Sequence, residues 1–497
     1  MNELTVLRFD EPLSSFIELN RTEPTLTEPG KVVMPPPPVS TSPATTRAAR
    51  PAAGATLAVT SAATTVALMN YTVPMLTLPD LSADFGTAIS AQAWLLNGAP
   101  LGLAALLLVA GSLADDYGRR RLFLAGTLGL ALTTGLGALA GSTLTFTLAR
   151  IAQGASSAAI IASSLGLLVH AFPPGPGRIR ATGVWGAFVS AGIATGPLLA
   201  GALGTYGWQQ PYAVLSAAAL VIAGLAFRTL AESRAPRGGR PDLAGAVALG
   251  AAMTALLSAL TLGRDGWLRT PVVLLLVAAA VLTGVFAAVE RRGGAPLIEP
   301  ALLGRRPFQA ATSGALFTGL AVIGLFSYLP TLLMRTLHIS PMGAAGLFVL
   351  WSGTAFLVAL QTRRLAGRVP AGYQLALGFG LHAAGALSML GAVGAGSWGR
   401  LVPGLIVAGA GSGLLNAALP RLSVESVPQE RAAMGSGANN TARYIGSAAG
   451  VALMIAVATS ASTPEHGTDL AILVSTGLTL LGAALVLSLR DGARARR

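Results

Sequence analysis

Residues Gly111–Gly126 read GSLADDYGRRRLFLAG and stand between two long apolar runs. Gly111 permits close approach of two helices, Asp115 can cap a helix or pair with a base, and Gly118 allows a sharp turn. Arg119, Arg120 and Arg121 follow at once and would hold that turn at a membrane face. An ordinary loop fixed by positive charge accounts for the arginines. It does not account for Gly-x-Leu-Ala-Asp closing one apolar run and Gly-Arg-Arg opening the next.

The rest of the chain sets the frame for this stretch. Of its 497 residues, 53% are hydrophobic and only 11% are charged. A soluble protein carries about a quarter charged residues, so the deficit points to a polytopic membrane protein rather than one with a single anchor. The net charge of +13 comes from short basic clusters between apolar runs. That distribution is one of membrane topology, not of nucleic-acid binding. There is no cysteine, which excludes disulfides, thiol catalysis and Cys-ligated metal. The four histidines, His170, His338, His382 and His466, are too dispersed to suggest a metal site. Lys31 is the only lysine beside 32 arginines, and with abundant Ala and Gly this suggests a high-GC bacterial coding sequence. Residues 1–54 include KVVMPPPPVSTSPATTRAARPAAG, rich in Pro, Ser and Thr. They read as a disordered tail without the pattern of a cleaved signal peptide.

A helix crossing the hydrocarbon core needs about 20 mostly apolar residues. Fourteen runs qualify, centred near residues 67, 102, 131, 157, 192, 219, 252, 279, 320, 351, 383, 409, 446 and 478. With the N-terminus inside, twenty-four arginines fall on cytoplasmic segments, and only Arg264, Arg269, Arg335 and Arg400 fall opposite. The asymmetry predicts an even span count with both ends cytoplasmic. Arg150 and Arg443 remain inside apolar runs.

A guanidinium within a bilayer segment costs a few kcal/mol, which makes Arg150 a functional candidate. It lies in LARIAQGASSAAIIASSLG (Leu148–Gly166), where Gln153 and Gly154 share its helical face. The alternative is that Arg150 snorkels to the near interface. The next run, GVWGAFVSAGIATGPLLAGALG (Gly183–Gly204), places Gly192 and Gly196 as a small-x-x-x-small pair before Pro197. Such a pair lets two helix backbones approach, and the proline should bend the helix.

Together these stretches resemble the major facilitator superfamily, in its fourteen-span drug:proton antiporter branch. The loop signature Gly-x-Leu-Ala-Asp-x-x-Gly-Arg-Arg is matched at Gly111, Leu113, Ala114, Asp115, Gly118, Arg119 and Arg120. Arg-x-x-Gln-Gly is matched at Arg150, Gln153 and Gly154. The antiporter signature Gly-x-x-x-Gly-Pro-x-x-Gly-Gly is matched at Gly192, Gly196, Pro197 and Gly201, with Ala200 in place of one glycine. RRGGAPLIEPALLGRRPF resembles the family's connector between spans eight and nine, and VPQERAAMGSGANNTARYIGSAAGVAL the start of its span thirteen. Arg363 to Gly378 echoes the opening stretch without its Asp, as parallel halves would require. The branch commonly opens its first span with Asp-x-Thr, and in NYTVPMLTLP Asn70 stands where that Asp would be. An amide cannot titrate, and Pro74 reads as a bend.

The resemblance implies an all-α polytopic membrane protein of the major facilitator fold, with 14 transmembrane helices arranged 6+2+6 and both termini cytoplasmic. The expected divisions are a tail at 1–54, a six-helix bundle at 55–230, two linker helices within 231–307, a second bundle at 308–490 and a basic tail at 491–497. The expected activity is efflux of small drug-like organic compounds by alternating access, driven by proton antiport and needing no cofactor. No nucleotide-binding Gly-x-x-x-x-Gly-Lys loop occurs to supply ATP drive. The partners implied are a small organic substrate and the lipid bilayer, with no nucleic acid and a monomer as the working unit.

Of the twenty acidic residues none lies at mid-membrane. Coupling must then use Asp115 with its arginines, Asp80 or Asp84 at the outer mouth, or His382 in the eleventh span, with Arg150 and Gln153 as further candidates. For His382 the plainer reading is a packing residue. Asn70, Trp94, Asn97, Trp185, Phe188, Asn416, Asn439, Asn440 and Arg443 are candidates to line a substrate cavity, although several could serve only to bond helices. The gate-loop set is Gly111, Asp115, Gly118, Arg119 and Arg120. The rivals are an importer or uncoupled facilitator of the same fold, a polytopic membrane enzyme, which lacks a nucleophile–base or metal constellation and hence any catalytic residue, and a receptor, which lacks an output domain.

Overall fold

The computed structural model of the protein describes residues 49–87, 89–234, 243–263, 266–292, 300–362 and 368–489. The expected tail up to residue 48, the basic C-terminal tail, part of the connector at 291–308 and the start of the echo at Arg363 lie outside them. Every regular element among the described residues is a helix. Its first group is α1 (Ala49–Thr72), α2 (Pro74–Asp84), α3 (Ile89–Tyr117), α4 (Arg119–Ala138), α5 (Thr143–Ala171), α6 (Pro176–Leu203) and α7 (Gln209–Thr229). Next come α8 (Leu243–Leu262), α9 (Thr270–Arg292) and the short α10 (Pro300–Leu303). The last group is α11 (Arg306–Phe317), α12 (Gly324–Thr336), α13 (Pro341–Gln361), α14 (Ala371–Leu387), α15 (Leu401–Glu425), α16 (Ala432–Ser460) and α17 (Pro464–Ser488). A π-helical turn, Thr318–Ile323, joins α11 to α12.

Among the described residues twelve helical stretches are long and apolar enough to cross a membrane. Two of the fourteen expected spans fall short of that measure. At the first, α1 carries Thr60, Thr65 and Thr72, whose hydroxyls donate back to the carbonyls of Thr56, Ser61 and Leu68. These polar groups lower its apolarity but are satisfied within the helix, as a membrane interior requires. At the eleventh, α14 is a helix of only 17 residues. Helical structure pauses at Val73, and Pro74 opens α2, where its missing N–H leaves no bond unmade.

Helices α1 and α3–α7 pack among themselves, chiefly α3 and α4 on α5, α1 on α6 and α4 on α7. Helices α11–α17 do the same, with α14 against α15 and α17, and α16 against the π turn. The two groups meet along α3 and α5 with α16, and along α6 with α13 and α15. Helix α8 pairs with α9 and reaches α3 and α16. Leu274, Val277, Val281 and Val285 form an exposed apolar row on α9. In water such a row would be a liability; against lipid tails it is the expected surface.

Candidate functional site: a cavity between two helix groups

The first polar centre is built on α1, α4 and α5. Arg150 is 0% exposed and turns inward, so it does not snorkel. Its Nη1 donates to Asn70 Oδ1 at 2.6 Å, to the Asn70 carbonyl at 2.8 Å and to Gln153 Oε1 at 2.7 Å. Nη2 reaches the Tyr71 carbonyl at 3.4 Å. Asn70 Nδ2 then donates to Thr134 Oγ1 at 2.9 Å, and Gln153 Nε2 to the Thr133 carbonyl at 3.0 Å. The sequence places Arg150 there because α3 and α5 approach backbone to backbone. A Cβ on Gly102 would overlap the Ile151 carbonyl, and one on Gly154 would overlap that of Ala99.

The second polar centre lies at one end of the α3–α16 seam. Asp115 is buried, and both Nε and Nη2 of Arg119 contact its Oδ1 at 2.8 Å. The backbone N–H of Met434 donates to Asp115 Oδ2 at 2.9 Å and that of Ala433 to Oδ1 at 3.4 Å. The carboxylate therefore caps the first turn of α16, where unpaired N–H groups and the helix dipole favour negative charge. Arg119 is 3% exposed rather than out at the membrane face, and it also donates to the carbonyls of Gly166, Gln429 and Glu430. A Cβ on Gly111 would stand 2.5 Å from the Ala433 carbonyl, so only glycine lets the seam close. Gly118 has φ +126°, a conformation L side chains avoid. Arg120 donates through its backbone N–H to Glu232 Oε1 at 3.1 Å, and Arg121 pairs with Glu232 Oε2 at 3.5 Å.

A cavity of about 670 Å³, including its mouth, lies between the two helix groups. Tyr71, Thr318, Phe326, Trp351, Asn416, Arg443 and Tyr444 are among its walls, and most of the lining is apolar. Phe326 and Trp351 stack with centroids 4.4 Å apart, and Tyr71 meets Tyr444 edge-on at 6.1 Å. Asn416 Nδ2 donates across the groups to Ser190 Oγ at 2.8 Å. A second cavity, shared with α8, is lined by Asn97 together with the same two tyrosines.

Of the expected cavity residues, Asn416 and Arg443 border the central cavity and Asn97 the second one. Asn70 belongs instead to the Arg150 centre. Asn440 is buried beside the cavity, where its Oδ1 accepts from Arg443 Nη2 at 2.8 Å, and Asn439 bonds the Ala311 carbonyl. Trp185 is buried and donates to Thr64 Oγ1, while Phe188 meets Phe356 edge-on between α6 and α13. Trp94 packs in the apolar core around α3 and α5. His382 is buried on α14 against Phe326, on neither cavity wall. Asp80 is exposed, and Asp84 accepts from Trp208 Nε1. Cβ atoms on Gly192 and Gly196 would strike α1, so the signature glycines seat α6 on α1; one on Gly201 would overlap Met342 of α13. Pro197 is buried within an unbroken α6. Among the described residues no cluster of three His, Cys, Asp or Glu side chains could hold a metal.

Sequence reasoning missed the walls Phe326, Trp351 and Tyr444 and the anchor Glu232. Only Tyr444 carried a signal, as the phenol beside Arg443.

Residues 60–451 match the sequence model of the Major Facilitator Superfamily. The chain is 34% identical over 403 residues to the probable actinorhodin transporter of Streptomyces coelicolor, covering 78% of this chain and 69% of that one. It is 31% identical over 461 residues to the puromycin resistance protein pur8 of Streptomyces alboniger, covering 88% and 91%. It is 32% identical over 423 residues to the cephamycin export protein CmcT of Amycolatopsis lactamdurans, covering 82% and 86%. Among solved structures the human organic anion transporter MFSD10 (TETRAN) aligns with TM-score 0.64 at 18% identity, over 87% of this chain and 99% of that one. The proton:xylose symporter XylE aligns with TM-score 0.62 at 13% identity, over 88% and 96%. The family match and the shared fold agree with the geometry, and the chain belongs to the Major Facilitator Superfamily.

Proposed function

We propose that this protein exports small drug-like organic compounds, of the antibiotic class, across a bacterial cytoplasmic membrane by alternating access. The observation that carries the reading is the mostly apolar cavity between the two helix groups. An apolar space with few polar groups suits amphipathic organic molecules better than sugars or phosphates. The relatives named for antibiotic transport, resistance and export support the same class.

The reading takes the chain as fourteen spans in a 6+2+6 order, working as a monomer, with α1 and α14 completing the twelve apolar stretches. Its bundles are 55–230 and 308–490, with the linker pair between them. Both termini and Arg119–Arg121 lie on the cytoplasmic side. Transport is driven by proton antiport, and Asp115 is the buried carboxylate at the moving seam that suits the exchanged proton. A second reading, transport without proton coupling, is favoured by one observation. Arg150 is held by Asn70, Gln153 and carbonyls, with no carboxylate among its partners.

Energised everted vesicles from an efflux-deficient host separate the two. Export predicts accumulation of at least one antibiotic from a panel above control vesicles. A protonophore abolishes it under antiport and leaves it intact under the second reading. Vesicles that accumulate nothing above control would sink the export reading itself.

A further inference from the structure

Arg443 differs from Arg150 in one decisive respect: it opens onto the central cavity. Its residue is only 8% exposed. Nη2 donates to Asn440 Oδ1 at 2.8 Å, and the guanidinium lies 5.4 Å from the centre of the Tyr444 ring. Its Nε–H has no partner. None of the residues lining the cavity is Asp or Glu, and no described carboxylate pairs with Arg443. A buried guanidinium held only by an amide oxygen and the Tyr444 hydroxyl, both neutral, is poorly compensated in a low-dielectric site. Arg150, whose Nε–H is likewise unpartnered, meets the same difficulty with four acceptor contacts supplied by the chain; Arg443 has fewer and borders the cavity.

The surroundings fix what could fill that place. The π turn Thr318–Ile323 lays its backbone on α16 at this point, and a Cβ on Gly319 would overlap the Arg443 carbonyl. That turn also supplies Thr318, Val322 and Ile323 to the cavity wall. π-helical turns of this kind recur at functional sites, where they re-aim side chains. The stacked Phe326–Trp351 pair and the Tyr71–Tyr444 pair give the walls flat aromatic faces and edges suited to a ring system.

We infer that Arg443 is the recognition group for an acidic substituent, and that the transported compounds are aromatic organic anions such as carboxylates or phenolates. The charged group takes the free side of the guanidinium through charge-assisted hydrogen bonds, while the ring lies among Tyr71, Phe326, Trp351 and Tyr444. This deepens the export reading and rests on it for the direction of transport only.

The test uses the purified full-length protein in detergent and three probes with one ring: 1-naphthoate, 1-naphthamide and 1-naphthylmethylammonium. Binding is read by quenching of tryptophan fluorescence and checked by calorimetry. The expected order is naphthoate tightest, about tenfold or more over naphthamide, with the ammonium weakest. Arg443→Gln brings the naphthoate-to-naphthamide ratio close to one, and Arg443→Lys restores part of it. Gel filtration checks that both variants fold; if Arg443→Gln does not, the order of the three probes on the unaltered protein decides by itself. Naphthamide binding as tightly as naphthoate, the ammonium binding tightest, no probe binding, or an unchanged ratio in a folded Arg443→Gln would each overturn the inference. Vesicles that export an antibiotic while the protein shows no anion preference would overturn this inference alone. Anion preference without export would overturn the export reading alone.

Discussion

Arg150 shows how a guanidinium can be kept in a membrane interior without a counter-ion. Three of its four contacts converge on Nη1, and the acceptors are an amide, another amide and a carbonyl. Geometry therefore substitutes for charge, and geometry is what a smaller cation would lose. Arg150→Lys keeps the charge but cannot span Asn70, Gln153 and Tyr71 together. We expect it to lose about 1–3 kcal/mol of stability, read as a lower melting temperature in detergent; unchanged melting would show that the contacts contribute nothing. Asn70→Asp makes the opposite change, putting a carboxylate where Oδ1 now stands 2.6 Å from Nη1. Its ion pair must break when the acid is protonated, so transport by the variant should acquire a component that changes as the pH falls. A pH profile matching that of the unaltered protein would exclude Asn70 from the cycle. The sequence disclosed Arg150, Gln153 and Asn70, because a charge or amide in an apolar run is conspicuous. Thr133 and Thr134 were not visible, since one gives only a carbonyl and the other an ordinary hydroxyl, and both come from another helix.

At the scale of elements, the centre depends on how closely α3 and α5 approach. Gly102 and Gly154 interlock so that each would drive a Cβ into the other helix's backbone, and backbone cannot rotate away. Gly224 on α7 is the natural comparison, since a Cβ there meets nothing within 4 Å. Gly154→Ala should destabilise by about 1–3 kcal/mol through overpacking, whereas Gly224→Ala should be neutral or stabilise by up to about 1 kcal/mol. Equal melting temperatures for the two variants would contradict the close packing. The spans themselves were legible from apolar length, with instructive exceptions. In α1 internal hydroxyl bonds let threonines sit where length-and-apolarity reasoning wants Leu. The π turn was not legible at all, because it leaves the apolar pattern of the run from Arg306 to Met334 intact and changes only which face each residue presents. The walls Phe326, Trp351 and Tyr444 were not legible for a related reason. Tyr444 lies far along the chain from Tyr71, which it meets edge-on, and Phe326 and Trp351 look like any core aromatic until the groups are assembled.

For the whole molecule, the two helix groups are in one arrangement with the α3–α16 seam closed, and alternating access requires a second arrangement with it open. Only contacts made in one of the two states bias the equilibrium between them. The Asp115 carboxylate makes such contacts: it belongs to α3, while the N–H groups of Ala433 and Met434 belong to α16. Arg119 reinforces the closure by reaching the carbonyls of Gln429 and Glu430 just ahead of that helix. Asp115→Asn preserves the side chain's shape but removes its charge from the helix terminus and from Arg119. A hydrogen bond to a charged group contributes about 1.5–3 kcal/mol, so the closed-to-open ratio should fall about 10- to 150-fold. The chain contains no cysteine, so a labelled pair can be introduced directly at exposed Tyr117 and Gln429, one on each side of the seam. Spin-label distances between them should shift from a short to a long population in Asp115→Asn, in detergent and in lipid. Protonation of Asp115 would act in the same direction, so acidification should open the seam in the unaltered protein and have little further effect on the variant. Distances in Asp115→Asn that match the unaltered protein would show that the seam is held by packing around Gly111 rather than by this carboxylate, and Asp115 would then have no part in coupling.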